Sequence, residues 1–207
     1  MLHIDSIDQD TYLLLQELSS LNYLKEFALA GGTSLALQLG HRISIDLDFF
    51  TIDEFDSEKL LDHLISDFEV SNVTIAKNTL NLYIRFNQKN IKVDFLRHHY
   101  KLLDKYISKD KIRLYSINDI AAMKLNAIAN RGSKKDFYDI YELLNSFSIM
   151  ELLEFFKEKY QRLNAFTVVK SLDYFEDADL EPDPMSLKKI NWKHIKEKVS
   201  NEVQKNF

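Results

Sequence analysis

FALAGGTSLALQLGHRISIDLDFF, residues 27–50, carries the clearest structural signal in the sequence. Its apolar start, Phe27 to Ala30, is typical of a short strand. Gly31-Gly32 can then take positive φ and let backbone N–H groups approach a ligand closely. Good helix formers follow from Thr33, and Gly40 stands where a glycine ends a helix. The pattern predicts a helix whose N-terminus abuts the Gly-Gly turn, an arrangement that binds phosphate.

After this helix, the chain alternates as a strand does. Ile45, Leu47 and Phe49 would lie on one face, which leaves Asp46 and Asp48 together on the other. Two such carboxylates repel each other unless a cation or water lies between them, and oxygen ligands at this spacing suit Mg²⁺. An Asp-x-Asp pair considered alone could equally be a solvated strand face. The Gly-Gly turn in front of the pair favours a site for a metal-bound nucleotide.

The composition describes a chain that can fold by itself. Of its 207 residues, 45% are hydrophobic and 12% aromatic, enough for one large domain or two small ones. A net charge of −5 argues against non-specific coating of nucleic acid but leaves room for a local basic face. With no cysteine, disulfides, thiolate metal sites and a Cys nucleophile are excluded.

The N-terminus carries acids where a signal peptide would carry bases. No apolar run reaches the length of a membrane span. The expected location is therefore the cytoplasm.

A third carboxylate follows in the strand-rich part of the chain. Strands are predicted at 71–77, 79–87 and 90–96, after a helix that Asp56 or Ser57 would cap. Asp94 lies on the face of the last strand that its apolar residues leave free. If this strand neighbours the Asp-x-Asp strand, Asp94 completes a three-Asp cluster that can hold two metal ions. Taken alone, Asp94 could be an ordinary solvated residue.

The chain then changes composition. Residues 101–113 carry several bases and few large apolar side chains, and are predicted to connect two lobes, 1–113 and 114–207. The second lobe is predicted to be entirely helical. Its expected helices are 116–130, 134–147, 149–160, 165–175 and 187–207, with an acidic loop at 173–183.

Charged residues recur at helical spacing in this second lobe. Lys124 and Arg131 are seven apart, and Asp136 and Asp139 are three apart, so each pair shares a helix face. Charge patterning alone assigns all four to a solvated helix surface, with an i, i+4 ion pair between Lys135 and Asp139.

The last stretch, 187–207, is amphipathic and rich in lysine. Such a helix could meet RNA phosphates, or it could be a solvated final helix anchored by Trp192. The six histidines show no i, i+4 ligand spacing, and no metal is assigned to them.

Two motifs resemble a known family. Gly31-Gly32, followed after thirteen residues by Asp46-Leu47-Asp48-Phe49, resembles the signature of the DNA polymerase β-like nucleotidyltransferases, with Asp94 as their third acid. More narrowly, AGGTSLALQLGHRISIDLDFF and KLNAIANRGSKKDFYDIYELL resemble the AbiEii/AbiGii nucleotidyltransferase toxin family. The resemblance implies an α+β fold, with a polymerase β-like lobe built on a small mixed sheet and a helical C-terminal lobe.

The resemblance also implies an activity. The expected reaction is Mg²⁺-dependent transfer of NMP from an NTP to an RNA acceptor, tRNA in the toxin relatives, at a two-ion site. A cognate antitoxin protein and a role in a toxin–antitoxin or phage-defence system are expected with it. Two alternatives remain open: transfer onto a small molecule such as an aminoglycoside, and a non-catalytic nucleotide-binding scaffold.

Roles follow residue by residue from the same resemblance. Asp46, Asp48 and Asp94 are the expected metal ligands and catalytic carboxylates. Lys124 would hold a phosphate of the NTP, with Asp136 positioning that lysine or the acceptor. The expected nucleotide-binding residues are Gly31, Gly32, Thr33, Ser34, Arg42, Ser44 and Lys124, of which Arg42 and Ser44 would orient the loop. Lys134, by contrast, is expected at an exposed turn.

Overall fold

The computed structural model describes the whole chain, Met1–Phe207, and it divides into two compact units. The first unit comprises residues 1–40, 44–101 and 105–115, and the second comprises 41–43, 102–104 and 116–207. Residues 41–43 and 102–104 thus belong to the second unit, although the chain before and after each of them belongs to the first. The architecture is mixed α+β, as the sequence predicts.

A mixed sheet forms the first unit. Its strands are β1 (Ala28–Leu29), β2 (Leu47–Thr51), β3 (Glu69–Ala76), β4 (Thr79–Phe86), β5 (Lys89–Arg97), β6 (Ile107–Lys109) and β7 (Ile112–Leu114). Their order across the sheet is β3-β4-β5-β2-β1-β7-β6. β2 runs parallel to β5 and β1 runs parallel to β7, whereas the other neighbours are antiparallel. The two aspartate-bearing strands are therefore adjacent.

Three helices complete the first unit: α1 (Gln9–Ser20), α2 (Gly31–Leu39) and α3 (Ser57–Asp67), with 3-10 turns at Ile4–Ser6 and Asn22–Leu24. One face of the sheet is apolar and belongs to the core, which α1 joins through its leucines. The core residues include Leu14, Leu15, Leu18, Leu47, Phe49, Leu80, Leu82, Val93 and Phe95. The opposite face of the sheet carries the polar side chains of the strands and lies outside this core.

Two expectations for the first unit are wrong in detail. The strand after α2 begins at Leu47, so Asp46 precedes it, and Ile45 is exposed rather than on the buried face. Residues 101–113 contain the hairpin β6–β7, whose turn residues Asp110 and Lys111 both have positive φ. Such a turn matches the twist of paired strands without needing glycine, so composition alone did not reveal it.

Helices make up the second unit. They are α4 (Ile117–Asn130), α5 (Lys134–Leu143), α6 (Ile149–Lys159), α7 (Ala165–Leu172), α8 (Glu176–Asp179) and α9 (Trp192–Asn206). The predicted acidic loop therefore contains a short helix, α8. None of the helices is both long enough and apolar enough to cross a membrane.

Ser116 caps α4, and its partner Asp119 makes further contacts. The Ser116 hydroxyl accepts from the Asp119 N–H at 3.0 Å. The Asp119 carboxylate accepts from the backbone N–H groups of Leu103 and Asp104 and pairs with buried Lys159 at 2.6 Å. Asp119 therefore anchors the segment 102–104 to the helices of the second unit.

Candidate active site

The start of α2 has free hydrogen-bond donors. α2 follows β1 directly, and no side chain caps its first turn. The helices α1, α3 and α4, by contrast, are capped by Asp8, Asp56 and Ser116. Because the first N–H groups of a helix have no partner within it, this end of α2 can bind an anion through its amides and its dipole.

Gly31 brings this helix end against a carboxylate. Its φ is +64°, and a Cβ at this position would lie 2.6 Å from Asp48 Oδ2. The Ala30 N–H donates to the Asp48 carbonyl at 2.8 Å, which fixes the two segments side by side. Only glycine satisfies both the backbone conformation and the close approach.

The hydroxyls after the glycines are used inside the fold. Thr33 and Ser34 are buried. Thr33 Oγ1 donates to the Asp46 carbonyl and lies 2.8 Å from Ser44 Oγ. The Ser34 hydroxyl accepts from Gln38 at 3.2 Å. Thr33 and Ser44 therefore position the loop that carries Asp46, and the backbone amides are the groups left for a phosphate.

Two of the predicted carboxylates are neighbours. The parallel register of β2 and β5 pairs Asp48 with Asp94, on the polar face of the sheet. Asp46 lies one residue before β2. Asp94 is only 7% exposed; its Oδ2 accepts from Lys92 at 2.5 Å, while its Oδ1 is buried with no hydrogen-bond partner. An unpartnered buried carboxylate oxygen is costly unless a further donor or a cation reaches it.

The donor set fits a hard cation such as Mg²⁺, because it consists of carboxylate oxygens. In the structure as it stands, no three His, Asp or Glu side chains are grouped closely enough to hold a metal ion. Within the chain, Lys92 supplies positive charge at these carboxylates. The two-ion site therefore stays a prediction.

Lys92 is held in its charged form by these acids. Burial lowers the pKa of its ammonium group. The hydrogen bond to Asp94 and the negative charges of Asp94, Asp46 and Asp48 outweigh that effect, so the pKa lies above its ordinary value. The three predicted carboxylates thus act on one cation.

The second unit contains a buried ion cluster around Asp139. Arg42 Nε and Nη2 donate to its two oxygens at 2.7 and 2.9 Å, and His41 Nε2 lies 2.7 Å from Oδ1. Lys124 Nζ bridges Asp139 at 2.6 Å and Asp136 at 2.9 Å. Lys124, Asp136 and Asp139 are all buried, so their assignment to a solvated surface is wrong.

The rest of the predicted surface pattern also changes. Arg131 Nε donates to Asp136 at 2.8 Å, and its side chain is 57% exposed, so it is the solvent-facing member of the cluster. The predicted ion pair between Lys135 and Asp139 is wrong, because Asp139 points into the second unit while Lys135 is exposed. Counting charges on a helix cannot reveal a partner from another part of the chain.

Electrostatics explains how two carboxylates remain charged inside the second unit. Burial alone would raise the pKa of Asp139, but the charges of Arg42 and Lys124 and the hydrogen bonds from His41 and Arg42 hold it well below its ordinary value. The pKa of Asp136 is likewise lowered, against burial, by Lys124 and Arg131. The pKa of Lys124 is raised by Asp139 and Asp136 although the residue is only 4% exposed.

Lys134 is not at an exposed turn. It is 4% exposed, and its ammonium contacts the Glu181 carbonyl and Asp183 Oδ1, the latter at 3.1 Å. The Glu181 carboxylate accepts from Ser133 Oγ at 2.7 Å and from the Lys134 N–H at 2.9 Å, so it caps α5. The segment predicted as an acidic loop thus also caps the start of a helix.

The lysines of the C-terminal stretch are largely neutralised by their own unit. Lys188 pairs with Glu142, Lys196 pairs with Asp179 at 2.8 Å, and Lys193 lies 3.8 Å from Glu197. α9 is anchored by Ile195, Val199 and Val203, which are buried, and by Trp192, which packs near Phe137 and stacks on Tyr138. The structure favours the anchored final helix over an RNA-binding one.

A pocket of about 620 Å³ lies elsewhere in the first unit, between the loop before α3 and the end of β3. Its lining includes the acids Glu54, Asp56 and Glu58 and none of the predicted site residues. The lining also includes Lys77, so three acids stand against one base, and the net negative charge disfavours a triphosphate in this pocket.

Two features of the site could not be expected from the motifs. Lys92 precedes Asp94 by two residues and so shares its strand face, a signal that period-two alternation could have revealed. The pairing of Arg42 with Asp139 joins residues 97 positions apart, and no local pattern reports it.

Adjacent carboxylates beside an uncapped helix start are suited to a nucleoside triphosphate, and the comparison with known proteins identifies the class as nucleotidyltransferases. Residues 13–206 match the family described as "Nucleotidyl transferase AbiEii toxin, Type IV TA system". The chain belongs to this family, which confirms the resemblance of its motifs. It is a nucleotidyltransferase, and its substrate is accordingly an NTP.

Individual relatives agree. The chain is 36% identical over 199 residues to the uncharacterized protein aq_aa25 of Aquifex aeolicus (strain VF5), covering 90% of this chain and 95% of the relative. JHP933 from Helicobacter pylori has a similar structure, with a TM-score of 0.61, 18% identity and coverage of 96% of this chain and 92% of that one. MenT4, a nucleotidyltransferase toxin from Mycobacterium tuberculosis H37Rv, gives a TM-score of 0.59 at 18% identity, covering 95% and 84%. The two structures share the fold.

Proposed function

We propose that the protein transfers a nucleoside monophosphate from an NTP to an RNA acceptor, tRNA in particular, with Mg²⁺, and that it acts as a toxin held in check by a cognate antitoxin protein. The observation that carries this proposal is the pairing of Asp48 with Asp94 on adjacent strands, directly beside the uncapped start of α2. Family membership supports the toxin role.

The first unit would bind the reacting end of the NTP. The amides of Gly31 and Gly32 would receive phosphate oxygens, because Gly31 permits close approach and no side chain competes for the helix start. Asp46, Asp48 and Asp94 would hold the metal. Bound Mg²⁺ would neutralise charge on the triphosphate and on the departing pyrophosphate. Asp94, nearest to Asp48, would help to accept the proton of the attacking hydroxyl.

Lys124 would meet a phosphate of the NTP, positioned by Asp136. The buried cluster combines three permanent cations, Arg42, Lys124 and Arg131, with the two carboxylates Asp136 and Asp139. Arg131, whose side chain is 57% exposed, brings positive charge of this cluster to the solvent, which supports an anion-binding role. Arg42 fixes the segment 41–43 through Asp139, which supports the loop-orienting role that we propose for it.

The hairpin β6–β7 is the better candidate for RNA contact. Lys105, Lys109 and Lys111 are exposed and enter no ion pair, unlike the paired lysines near α9. Arg113 stacks over the Tyr106 ring at 4.7 Å, so cationic and aromatic groups alternate here, as single-stranded nucleic acid sites require. By register, Arg113 lies level with Phe50, so it faces the same side of the sheet as Asp48 and is about 12 Å from it, two strand spacings across and two residues along.

Incubation with each α-labelled NTP, Mg²⁺ and total tRNA tests the proposal. We expect label to enter tRNA with the unaltered protein and to fall below detection with Asp48→Asn, whose melting temperature should be unchanged or slightly higher because carboxylate repulsion is relieved. Asp62→Asn, on the exposed side of α3, is the matched control and should retain full activity.

Two results would contradict the proposal. Full-rate transfer by Asp48→Asn would remove the catalytic assignment. Label that enters an added small-molecule acceptor such as an aminoglycoside, but never RNA, would replace the RNA acceptor by the small-molecule one.

A further inference from the structure

Lys92 lies inside the group of carboxylates that the proposed function assigns to a metal. It shares the polar face of β5 with Asp94, and its ammonium donates to Asp94 Oδ2 at 2.5 Å. Asp94 is nearly buried, whereas about a third of the Lys92 side chain is exposed, 38% against 9%. The lysine can therefore move into solvent, and the aspartate cannot.

The charge of Lys92 acts on all three acids. The register that pairs Asp48 with Asp94 also pairs Leu47 with Val93, so Asp46, one residue earlier, comes level with Lys92. Asp46, Asp48 and Asp94 each interact electrostatically with its ammonium. Without a cation, the adjacent carboxylates of Asp48 and Asp94, with Asp46 one residue before β2, would repel one another. Lys92 supplies that cation from the chain itself.

We propose that Lys92 is a built-in counter-ion that stabilises the carboxylates while no metal is bound, and that a metal ion must displace it. The proposal rests on the proposed function, which makes these carboxylates metal ligands. A metal ion about 2.1 Å from Asp94 Oδ2 would lie within about 4.6 Å of the ammonium, where two cations repel strongly. Lys92 therefore weakens the binding of free Mg²⁺ and makes occupancy depend on its concentration.

Calorimetric titration of Mg²⁺ into the full chain, without nucleotide, tests this role. We expect Lys92→Gln to bind Mg²⁺ about tenfold more tightly than the unaltered protein, because a charge-assisted hydrogen bond no longer has to be broken. Lys92→Arg, which keeps the charge, should bind within about twofold of the unaltered protein. Lys89→Gln, on the same strand but paired with Asp8 instead, loses the same charge and should change nothing.

Thermal unfolding provides the second measurement. In chelator, Lys92→Gln should melt below the unaltered protein, because Asp94 is left buried without a counter-charge. Saturating Mg²⁺ should raise its melting temperature more than that of the unaltered protein, because the tighter ligand stabilises more. This comparison also shows whether the variant is folded.

The outcomes separate the counter-ion role from the metal assignment. Equal or weaker Mg²⁺ binding by Lys92→Gln would overturn the counter-ion role and leave the metal site standing. An equal gain in Lys89→Gln would reduce the effect to net charge and would also overturn it. If neither the unaltered protein nor Lys92→Gln bound Mg²⁺, the metal assignment itself would fall, and the counter-ion role with it.

Discussion

At position 31, adding a single methyl group tests whether the backbone at the start of α2 binds phosphate. Gly31→Ala places Cβ 2.6 Å from Asp48 Oδ2 in a left-handed conformation. We expect a loss of roughly 1–2 kcal/mol from the free energy of unfolding, for backbone strain, and a much larger loss of nucleotide affinity, because Asp48 must move. Equilibrium denaturation and titration with a fluorescent NTP measure the two effects.

Gly132→Ala is the matched control for this substitution. Gly132 also has a positive φ, +55°, but its added Cβ would meet only Ile128 O at 3.6 Å, an ordinary contact. The control should lose similar stability and keep its affinity for NTP. If both variants lost affinity equally, the close approach of Gly31 to Asp48 would have no role in binding.

The sequence reveals which residues could act but not always which ones meet. Asp48 and Asp94 could be predicted because alternation along a strand fixes the side that each one faces. The two residues meet only because β2 and β5 are parallel neighbours. The sequence alone does not predict that the two strands are adjacent. The contact of Arg42 with Asp139 depends on folding across 97 positions, so charge spacing on one helix misassigned Asp139 to the surface.

At the level of elements, a run of bases has meaning only when their partners are known. The stretch containing α9 is rich in lysine, yet Lys188 and Lys196 are paired with Glu142 and Asp179. The hairpin β6–β7 has a similar local charge and lacks such pairing. Composition could not distinguish the two elements, because the neutralising acids come from distant parts of the chain.

We therefore expect RNA binding to depend on the hairpin. Replacing Lys105, Lys109 and Lys111 with Gln should weaken tRNA binding and flatten its salt dependence, by up to about one unit of log–log slope for each phosphate that the protein no longer neutralises. NTP affinity should hardly change. Filter binding over a series of salt concentrations measures both the affinity and the slope.

The comparison variant removes three charges from the C-terminal stretch instead. Lys189, Lys193 and Lys196 replaced with Gln should leave the salt slope unaltered. A reduced slope in this variant, with an unchanged slope in the hairpin variant, would move the acceptor back to the C-terminal stretch.

At the scale of the whole molecule, the ion cluster of the second unit determines how stability depends on pH. The pKa values of Asp136 and Asp139 are lowered on folding, so their stabilisation is present above the ordinary value of 3.8 and is lost as pH falls through the folded values. The pKa of Lys124 is raised, so its contribution is present below 10.5 and is lost as pH rises through the folded value. Between these limits the cluster's contribution is level.

Asp139→Asn should therefore destabilise the protein most at neutral pH. We expect a loss of about 3–5 kcal/mol at pH 7, because Arg42 and Lys124 lose a buried counter-charge. The gap to the unaltered protein should narrow as pH falls below 3.8. Urea unfolding at several pH values measures this change. Asp177→Asn, at an exposed position, should stay within about 0.5 kcal/mol throughout; an Asp139 gap that is constant with pH would contradict the ionic account.

The segments 41–43 and 102–104 limit which parts of the chain can be expressed alone or exchanged with those of another protein. Residues 41–43 belong to the helical unit through Arg42 and Asp139, and 102–104 belong to it through the Asp119 carboxylate. A fragment that ends at Tyr115 would contain the segments 41–43 and 102–104 without Asp139 and Asp119, the residues that anchor them. The first unit is thus not expected to fold independently of the second. A chimaera that joins it to the helices of another protein would have to provide a carboxylate for each of the two segments.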